Sequence, residues 1–191
     1  DSLKSFAADI NIILKNYKRQ TYSSFAERLE THATKKYQQL IQHNVAKDHK
    51  IAVSLIDKLN GNFEFKIDVV NKFNELQDQA GGADQALRRV SVVFALVDIA
   101  ENKNGFPFIA DAPTSRLSTD NKTQFFLSLL NDPSLKQSIV LTMDLVSAVE
   151  TQKEDKIILN DIGKRIQSEL KNNDSACMIT IYNNNFQLLK N

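Results

Sequence analysis

The most informative stretch of this chain is Phe106-Pro107-Phe108-Ile109-Ala110-Asp111-Ala112-Pro113-Thr114-Ser115-Arg116-Leu117-Ser118. It is a short apolar run that brings one carboxylate, Asp111, to the end of a strand, and a proline-containing loop follows at once. A strand end holds an oxygen ligand in place, as a hard cation such as Mg²⁺ requires beside a triphosphate. Alone, the stretch fits a buried strand ending in a proline turn equally well.

Size and composition predict an ordinary globular domain, with or without an extended helical arm. The chain has 191 residues, of which 42% are hydrophobic and 25% charged. A net charge of +1 provides no overall field toward nucleic acid or membrane. We see no run of 18 or more apolar residues and expect no membrane partner. Because the chain starts on Asp1 rather than Met, we expect a fragment of a longer protein.

The single cysteine is consistent with a reducing cytoplasm, since one thiol cannot form an internal disulfide. Cys177 lies in the apolar run 176–179, so we expect a buried structural thiol rather than a nucleophile.

A long helix is predicted at the start of the chain, because residues 3–41 contain no glycine or proline. Apolar residues recur there in steps of three and four, which places them on one helical stripe. Such a length fits a surface helix or the root of a coiled coil, with a possible break near 21–24. The stripe comprises Leu3, Phe6, Ile10, Ile13, Leu14, Tyr17, Phe25, Leu29, Ala33, Tyr37 and Leu40.

The remaining chain alternates between short apolar strands and helices, which favours a mixed α/β layer with parallel central strands. A hairpin is expected first, because two alternating runs flank Asn60-Gly61, a pair suited to tight turns. The predicted elements are strands at 51–55 and 63–69, a helix through Ile99, a strand at 106–111, a helix at 120–131, a strand at 138–142, a helix at 161–171 with Asp161 as N-cap, and hairpin strands at 176–182 and 186–189.

Two adjacent glycines, Gly81 and Gly82, stand where the helix ending near Ile99 begins. Without a Cβ they let backbone N–H groups approach an anion, which the helix dipole also favours. A flexible turn with a glycine cap explains the same pair.

The order of these signals resembles the C-terminal half of an ABC-type ATPase head of the SMC and DNA-repair superfamily. It is most similar to the coiled-coil ATPases of bacterial DNA-sulfur-modification and phage-defence systems. The resemblance implies the C-terminal lobe of an ABC-type P-loop ATPase head, a mixed sheet flanked by helices. It also implies a division into a coiled-coil root at 1–50 and the lobe itself at 51–191.

The resemblance assigns a nucleotide site to the helix start and to the first strand end. Ala80, Gly81 and Gly82 take the signature position, which contacts the γ-phosphate of ATP held by the opposite head. Asp111 takes the Walker B position as the partner of Mg²⁺.

The resemblance extends the site to the loops that follow the two apolar strands. Residues 113–118 match the D-loop, whose Ser115 and Ser118 join the predicted nucleotide contacts. Thr142 takes a switch position that also contacts nucleotide, and Asp144 is the polar group expected to act in catalysis there.

Several departures leave the catalytic assignment open. The family has a serine at the position of Ala80, a glutamate at Ala112, a histidine at Met143 and an aspartate at Ser118. A Walker A loop, Gly-x-x-x-x-Gly-Lys-Ser/Thr, does not occur in these 191 residues. ATP hydrolysis therefore requires an N-terminal half that carries this loop.

The function implied is a head that binds ATP and Mg²⁺ between two copies and couples their closure to DNA binding or processing. The expected context is bacterial DNA repair or anti-phage defence, in the cytoplasm and associated with the nucleoid. Expected partners are the Walker A-bearing half, a second head, double-stranded DNA and an accessory nuclease or defence subunit. The alternatives are a degenerate, non-hydrolysing structural or regulatory subunit, and an α/β binding domain without nucleotide.

Two further sets of residues are weaker candidates. Arg88 and Arg89, like Lys35 and Lys36, could contact DNA phosphates, although charged outer helix faces explain them better. His32 lies too far along the helix from the next histidine for a metal site, and solvated histidines are expected.

Overall fold

The computed structural model describes residues 2–41, 48–58, 61–77, 82–100, 107–132, 135, 137–150, 155–171, 177–182 and 185–188. Within these ranges the chain forms four helices and four two-stranded sheets. The elements are α1 Ser2–Leu40, β1 Lys50–Asp57, β2 Phe63–Val70, α2 Gly82–Ile99, β3 Phe108–Asp111, α3 Thr119–Asn131, β4 Ser138–Leu141, β5 Val146–Glu150, β6 Asp155–Leu159, α4 Asp161–Leu170, β7 Ile179–Tyr182 and β8 Asn185–Leu188.

Helix α1 is continuous over 39 residues and does not break near 21–24. Thr21 donates its hydroxyl proton to the carbonyl of Tyr17 at 3.0 Å, so its polar group is satisfied within the helix. The second half of α1 packs against α2 and β1. Its buried apolar residues are Ala26, Leu29, Ala33, Tyr37 and Leu40.

The sequence spacing predicted one apolar stripe along α1, but the structure shows two apolar faces. Its first part is exposed and comprises Phe6, Ile10, Ile13, Leu14 and Tyr17. At about 100° of rotation per residue, these positions lie about 150° around the helix from the buried set. Steps of three and four do not continue from Tyr17 to Ala26, and the apolar face therefore changes side between them.

The predicted hairpin is confirmed. Strands β1 and β2 pair antiparallel in the register Lys50↔Val70 to Asp57↔Phe63. Gly61 has φ +75°, a left-handed conformation that a glycine adopts without strain. Its neighbour Asn62 accepts a hydrogen bond from the backbone of Lys58 at 2.9 Å.

The central strands are parallel, as predicted, with β3 and β4 joined through α3. Aromatic side chains fix this layer against α2. The Phe94 ring stacks on Phe125 with centroids 5.8 Å apart, and it meets Phe108 edge-on at 5.2 Å. One face of the parallel pair is thereby part of the hydrophobic core.

Three features differ from the sequence predictions. Asn160, not Asp161, caps α4, because its side chain accepts a hydrogen bond from the backbone N–H of Gly163 at 2.9 Å. Cys177 is exposed, whereas the next residue, Met178, is buried and takes the expected core position. The β5–β6 hairpin was not predicted, although Val146, Ala148, Ile157 and Leu159 recur with the alternation of strands.

Lys36 also differs from prediction, since it is buried rather than on a charged outer face. In the described part of the chain no helix combines the length and the apolar content needed to cross a membrane.

Candidate functional site

The parallel pair β3–β4 has one face in the core and one face open. Phe108 and Val140 pack against the core, while Ile109 and Ile139, which are paired in register, are exposed on the other face. The next pair on this open face joins Asp111 to Leu141, and both are exposed. Parallel strands in proteins are normally covered on both faces. The open apolar face therefore has the character of an interface, and Asp111 lies at its carboxyl end.

Asp111 carries an exposed carboxylate, a group that can serve as a cation ligand. Among the described residues, this carboxylate forms no hydrogen bond and no ion pair, and the backbone of Asp111 pairs with β4. The strand end that carries it is fixed, because the backbone N–H of Ala112 donates to the carbonyl of Leu141 at 2.8 Å. Ala112 has φ +44°, a strained value for a residue with a Cβ, and it turns the chain into the loop that follows.

Asp144 is engaged by groups of its own chain. One carboxylate oxygen pairs with the ammonium group of Lys122. The other accepts hydrogen bonds from the hydroxyls of Thr114 at 2.5 Å and Thr142 at 3.2 Å. Burial alone would raise the pKa of Asp144, but the hydrogen bonds from Lys122 and Thr114 outweigh burial and lower it. Its carboxylate is therefore charged at neutral pH and already satisfied.

The predicted hydroxyl contacts fall into two groups. Ser118 is the N-cap of α3 and accepts the backbone N–H of Asn121 at 3.4 Å, and Thr142 accepts the backbone N–H of Asp144 at 3.0 Å. Ser115 is exposed, one residue after the fully buried Thr114. Of the three predicted hydroxyls, Ser118 and Thr142 thus have local structural bonds, and Ser115 faces outward.

The start of α2 lies beside the loop that follows β3. Ala80 and Gly81 fall outside the described residues. Gly82 is the first residue of α2 and is exposed, and a Cβ built on it would lie 3.8 Å from Cδ of Arg116. The structure therefore brings the predicted signature glycine next to an exposed arginine that the sequence reasoning did not single out. Its signal was a basic residue within the loop at 113–118.

The remaining candidates have ordinary structural surroundings. Arg88 is half-buried and donates to the backbone carbonyl of Ile67 at 3.3 Å, whereas Arg89 is exposed. His32 Nδ1 lies 3.4 Å from a carboxylate oxygen of Asp98, so this histidine is not simply solvated. The described ranges contain no group of three or more His, Cys, Asp or Glu side chains that could hold a metal ion.

No protein-family model matches the sequence, and no curated protein matches it significantly. Solved structures do match the fold. The Smc head domain with a coiled coil and joint from Pyrococcus yayanosii superposes with a TM-score of 0.54 and 14% identity, over 88% of this chain and 34% of that one. The Smc head domain with an extended coiled coil from Pyrococcus furiosus, bound to the C-terminal domain of ScpA, gives 0.52 and 16% identity, over 88% and 43%.

An SmcHead bound to the C-winged helix domain of ScpA gives a TM-score of 0.51 and 14% identity, over 80% of this chain and 48% of that one. This chain thus spans between a third and a half of the length of the solved heads. Its class of fold follows directly: a mixed α/β lobe with a long N-terminal helix, as in the C-terminal lobe of an SMC head with its coiled coil.

Proposed function

We propose that this chain is the C-terminal part of an SMC-like ATPase that binds ATP and Mg²⁺ between two heads. The observation that carries the proposal is the open apolar face of β3–β4 with Asp111 at its carboxyl end. Ligands of open α/β sheets bind outside the carboxyl ends of the strands. Ile109, Ile139 and Leu141 supply an apolar surface for a second lobe to cover, and Asp111 then lies at the seam.

The residues present fit a Mg²⁺ ion. A carboxylate is a hard oxygen ligand, and that of Asp111 is exposed and held by a fixed strand end. Mg²⁺, when bound, neutralises phosphate charge and orients the phosphoryl group. Asp111 would hold the ion directly or through a water. Gly82 and its two predecessors would present backbone N–H groups to the phosphate held by the opposite head.

The partners follow from what the chain lacks. No Walker A loop occurs in the sequence, so a Walker A-bearing half must cover the open face and hold the triphosphate. A second head would complete the site, and closure of the pair would move the helix α1, which we propose as the coiled-coil root within residues 1–50. A ScpA-like subunit is a further proposed partner, since two of the solved heads are bound to ScpA domains. Double-stranded DNA stays a prediction from the resemblance.

DNA repair, phage defence and a nuclease partner have no support in the described residues. They remain predictions from the resemblance, as does association with the nucleoid.

A non-hydrolysing head is the second candidate, and two observations favour it. Ala112 follows Asp111, and its methyl group cannot orient an attacking water. Asp144 has both carboxylate oxygens engaged by side chains of its own chain. A head of this kind would bind nucleotide and close without releasing phosphate. Phosphate release by the full-length protein distinguishes it from the ATPase.

The test of the proposal uses the full-length protein that contains this chain. Gly82→Arg should abolish ATP-driven dimerisation, measured by light scattering, because a long side chain fills the helix mouth. Gly82→Ala is the matched control, since its Cβ has room. Asp111→Ala should weaken nucleotide binding in Mg²⁺ but not in EDTA, and Glu169→Ala, an exposed carboxylate on α4, should change neither. Dimerisation and Mg²⁺-dependent binding unchanged in Gly82→Arg and Asp111→Ala would contradict the proposal.

A further inference from the structure

Asp144 joins two loops that come from different strands. It lies in the turn after β4, three residues beyond Leu141, and Thr114 lies in the loop after β3, three residues beyond Asp111. Leu141 and Asp111 are themselves paired in register. The hydrogen bond from Thr114 to Asp144 therefore closes the carboxyl ends of β3 and β4 onto each other.

The backbone of Asp144 is fixed as firmly as its side chain. Its N–H donates to the hydroxyl of Thr142 at 3.0 Å, and its carbonyl accepts a hydrogen bond from the side chain of Asn160 at 2.8 Å. With the carboxylate bound to Lys122 and Thr114, every polar group of this residue has a partner in its own chain. A contact to substrate would have to share a carboxylate oxygen that already accepts from Lys122, Thr114 or Thr142.

Lys122 supplies the positive charge that balances the carboxylate of Asp144. The side chains of Lys122 and Asp144 are only 19% and 17% exposed, so solvent screens their attraction little. Thr114 is fully buried beside them. Lys122 stands in the first turns of α3, where a cation opposes the helix dipole. The pairing with Asp144 thus compensates a placement that would otherwise be unfavourable.

We propose that Asp144 is a positioning residue that acts together with Lys122 and Thr114. The three side chains lock the loop 112–118 to the turn 142–145, and this lock holds Asp111 and the exposed Arg116 in their places around the phosphate. The proposal rests on the proposed function for its consequence, namely the affinity for Mg²⁺-nucleotide. The lock itself is a property of the chain and is testable without nucleotide.

The first experiment measures nucleotide affinity of the full-length protein with a fluorescent ATP analogue, in Mg²⁺ and in EDTA. Asp144→Asn and Lys122→Met should each lower the Mg²⁺-dependent affinity roughly 10-fold to 100-fold, which is about 1.4 to 2.8 kcal/mol, because the loop that follows Asp111 is no longer held. The double variant should bind Mg²⁺-nucleotide about as tightly as the single variant with the lower affinity, because both substitutions remove the same interaction. Lys122→Arg should restore most of the affinity. Lys164→Met, at an exposed lysine of α4, is the control.

The second experiment measures amide hydrogen exchange without nucleotide. Lys122→Met should increase exchange in 112–118 and 142–145 while the α1–α2 interface stays protected. This readout remains valid if the parent binds no Mg²⁺-nucleotide, a result that would refute the proposed function alone. Loss of turnover in Asp144→Asn with normal affinity, and no effect of Lys122→Met, would make Asp144 catalytic and overturn the lock. The lock would also be overturned if Lys122→Met left the exchange of both loops unchanged. The same holds if Lys122→Met and Asp144→Asn lowered the melting temperature but not the nucleotide affinity.

Discussion

Lys36 of α1 and Asp98 of α2 form an ion pair of 3.0 Å inside the protein. Their side chains are 8% and 15% exposed. Lys36 also pairs with Asp132, the C-cap residue of α3, so one ammonium group joins three helices. Burial alone would lower the pKa of Lys36, but its hydrogen bonds to Asp132 and Asp98 outweigh burial and raise the pKa. This ammonium group therefore connects α1 to α2 and to the end of α3 at one buried point.

Removal of the buried ammonium group should be costly. Lys36→Met would remove the ammonium group that Asp98 and Asp132 share. We expect a loss of about 3–5 kcal/mol in the free energy of unfolding, the usual cost of breaking a buried pair. Urea unfolding of the full-length protein measures it. Lys35→Met, at the exposed neighbour, should change the free energy by less than about 0.5 kcal/mol. Equal effects at both positions would refute the buried pair.

Alkaline pH should destabilise the fold through Tyr37. Burial, followed by the charge of Asp84, raises the pKa of Tyr37 to about 12. The unfolded chain loses the phenol proton near pH 10, so between about 10 and 12 the unfolded state binds fewer protons than the folded state. The free energy of unfolding then falls as pH rises through this window, and the raised pKa of Lys36 acts in the same direction.

The urea midpoint measured from pH 9 to 12 tests this sign. Tyr37→Phe should flatten the decline, because the titrating group is gone. Tyr17→Phe, at a tyrosine exposed on the first half of α1, should leave the decline unchanged. If the urea midpoint of the parent protein increased as the pH was raised above 10, the predicted link between proton loss and unfolding would have the wrong sign.

Gly163 is required by close packing rather than by a special backbone angle. A Cβ at this position would lie 2.1 Å from the carbonyl oxygen of Leu145 and 2.9 Å from Cδ2 of Leu159. Gly163→Ala should therefore destabilise the protein by about 1–3 kcal/mol, through the forced shift of α4 away from the turn after β4. The Cβ of Gly82→Ala would make only an ordinary contact of 3.8 Å with Arg116, so this variant should change the stability by close to zero. Thermal unfolding of the two variants measures this difference. An unchanged melting temperature in Gly163→Ala would contradict the close packing of Gly163 against Leu145.

The change of apolar face along α1 gives a matched pair of truncations. Leu29 is 3% exposed and Ile13 is 65% exposed, although both lie on apolar positions of the same helix. Leu29→Ala should cost about 2–5 kcal/mol in stability of the lobe, as buried truncations do. Ile13→Ala should not change the lobe and should weaken only pairing of α1 with a partner helix. Urea unfolding followed by hydrogen exchange in α2 separates the two effects.

Much of the fold could be predicted from local patterns. The β1–β2 hairpin followed from alternation around Asn60-Gly61, and α2 and α3 followed from helical spacing, since these patterns report on neighbours within one element. The N-cap of α4 was predicted at the wrong residue, because Asn160 and Asp161 are both favourable N-cap residues. Asn160 takes the position in the fold, where its side chain also donates to the carbonyls of Asp144 and Val146 across a loop.

The candidate site could be predicted only in outline. Asp111 was identified because an apolar run ends on it, whereas only the fold shows that no described residue bonds to its carboxylate. Asp144 had the same appearance in the sequence, an acid after a short apolar strand. Its engagement by Lys122 and Thr114 depends on contacts 22 and 30 residues apart, which no local pattern encodes. Arg116 was passed over for the same reason, as its neighbour Gly82 lies far away in the chain.

Local sequence patterns predicted the order of the helices and of every strand except β5 and β6, the parallel layer and the position of its carboxylate, because periodicity and turn residues act over a few positions. The folded chain was needed to show that Asp144 is engaged by Lys122 and Thr114, that no described residue engages the Asp111 carboxylate, and which side of α1 faces the lobe. Burial and ion pairing depend on what other elements bring close, and they separate Asp111 from Asp144 and Lys36 from Lys35.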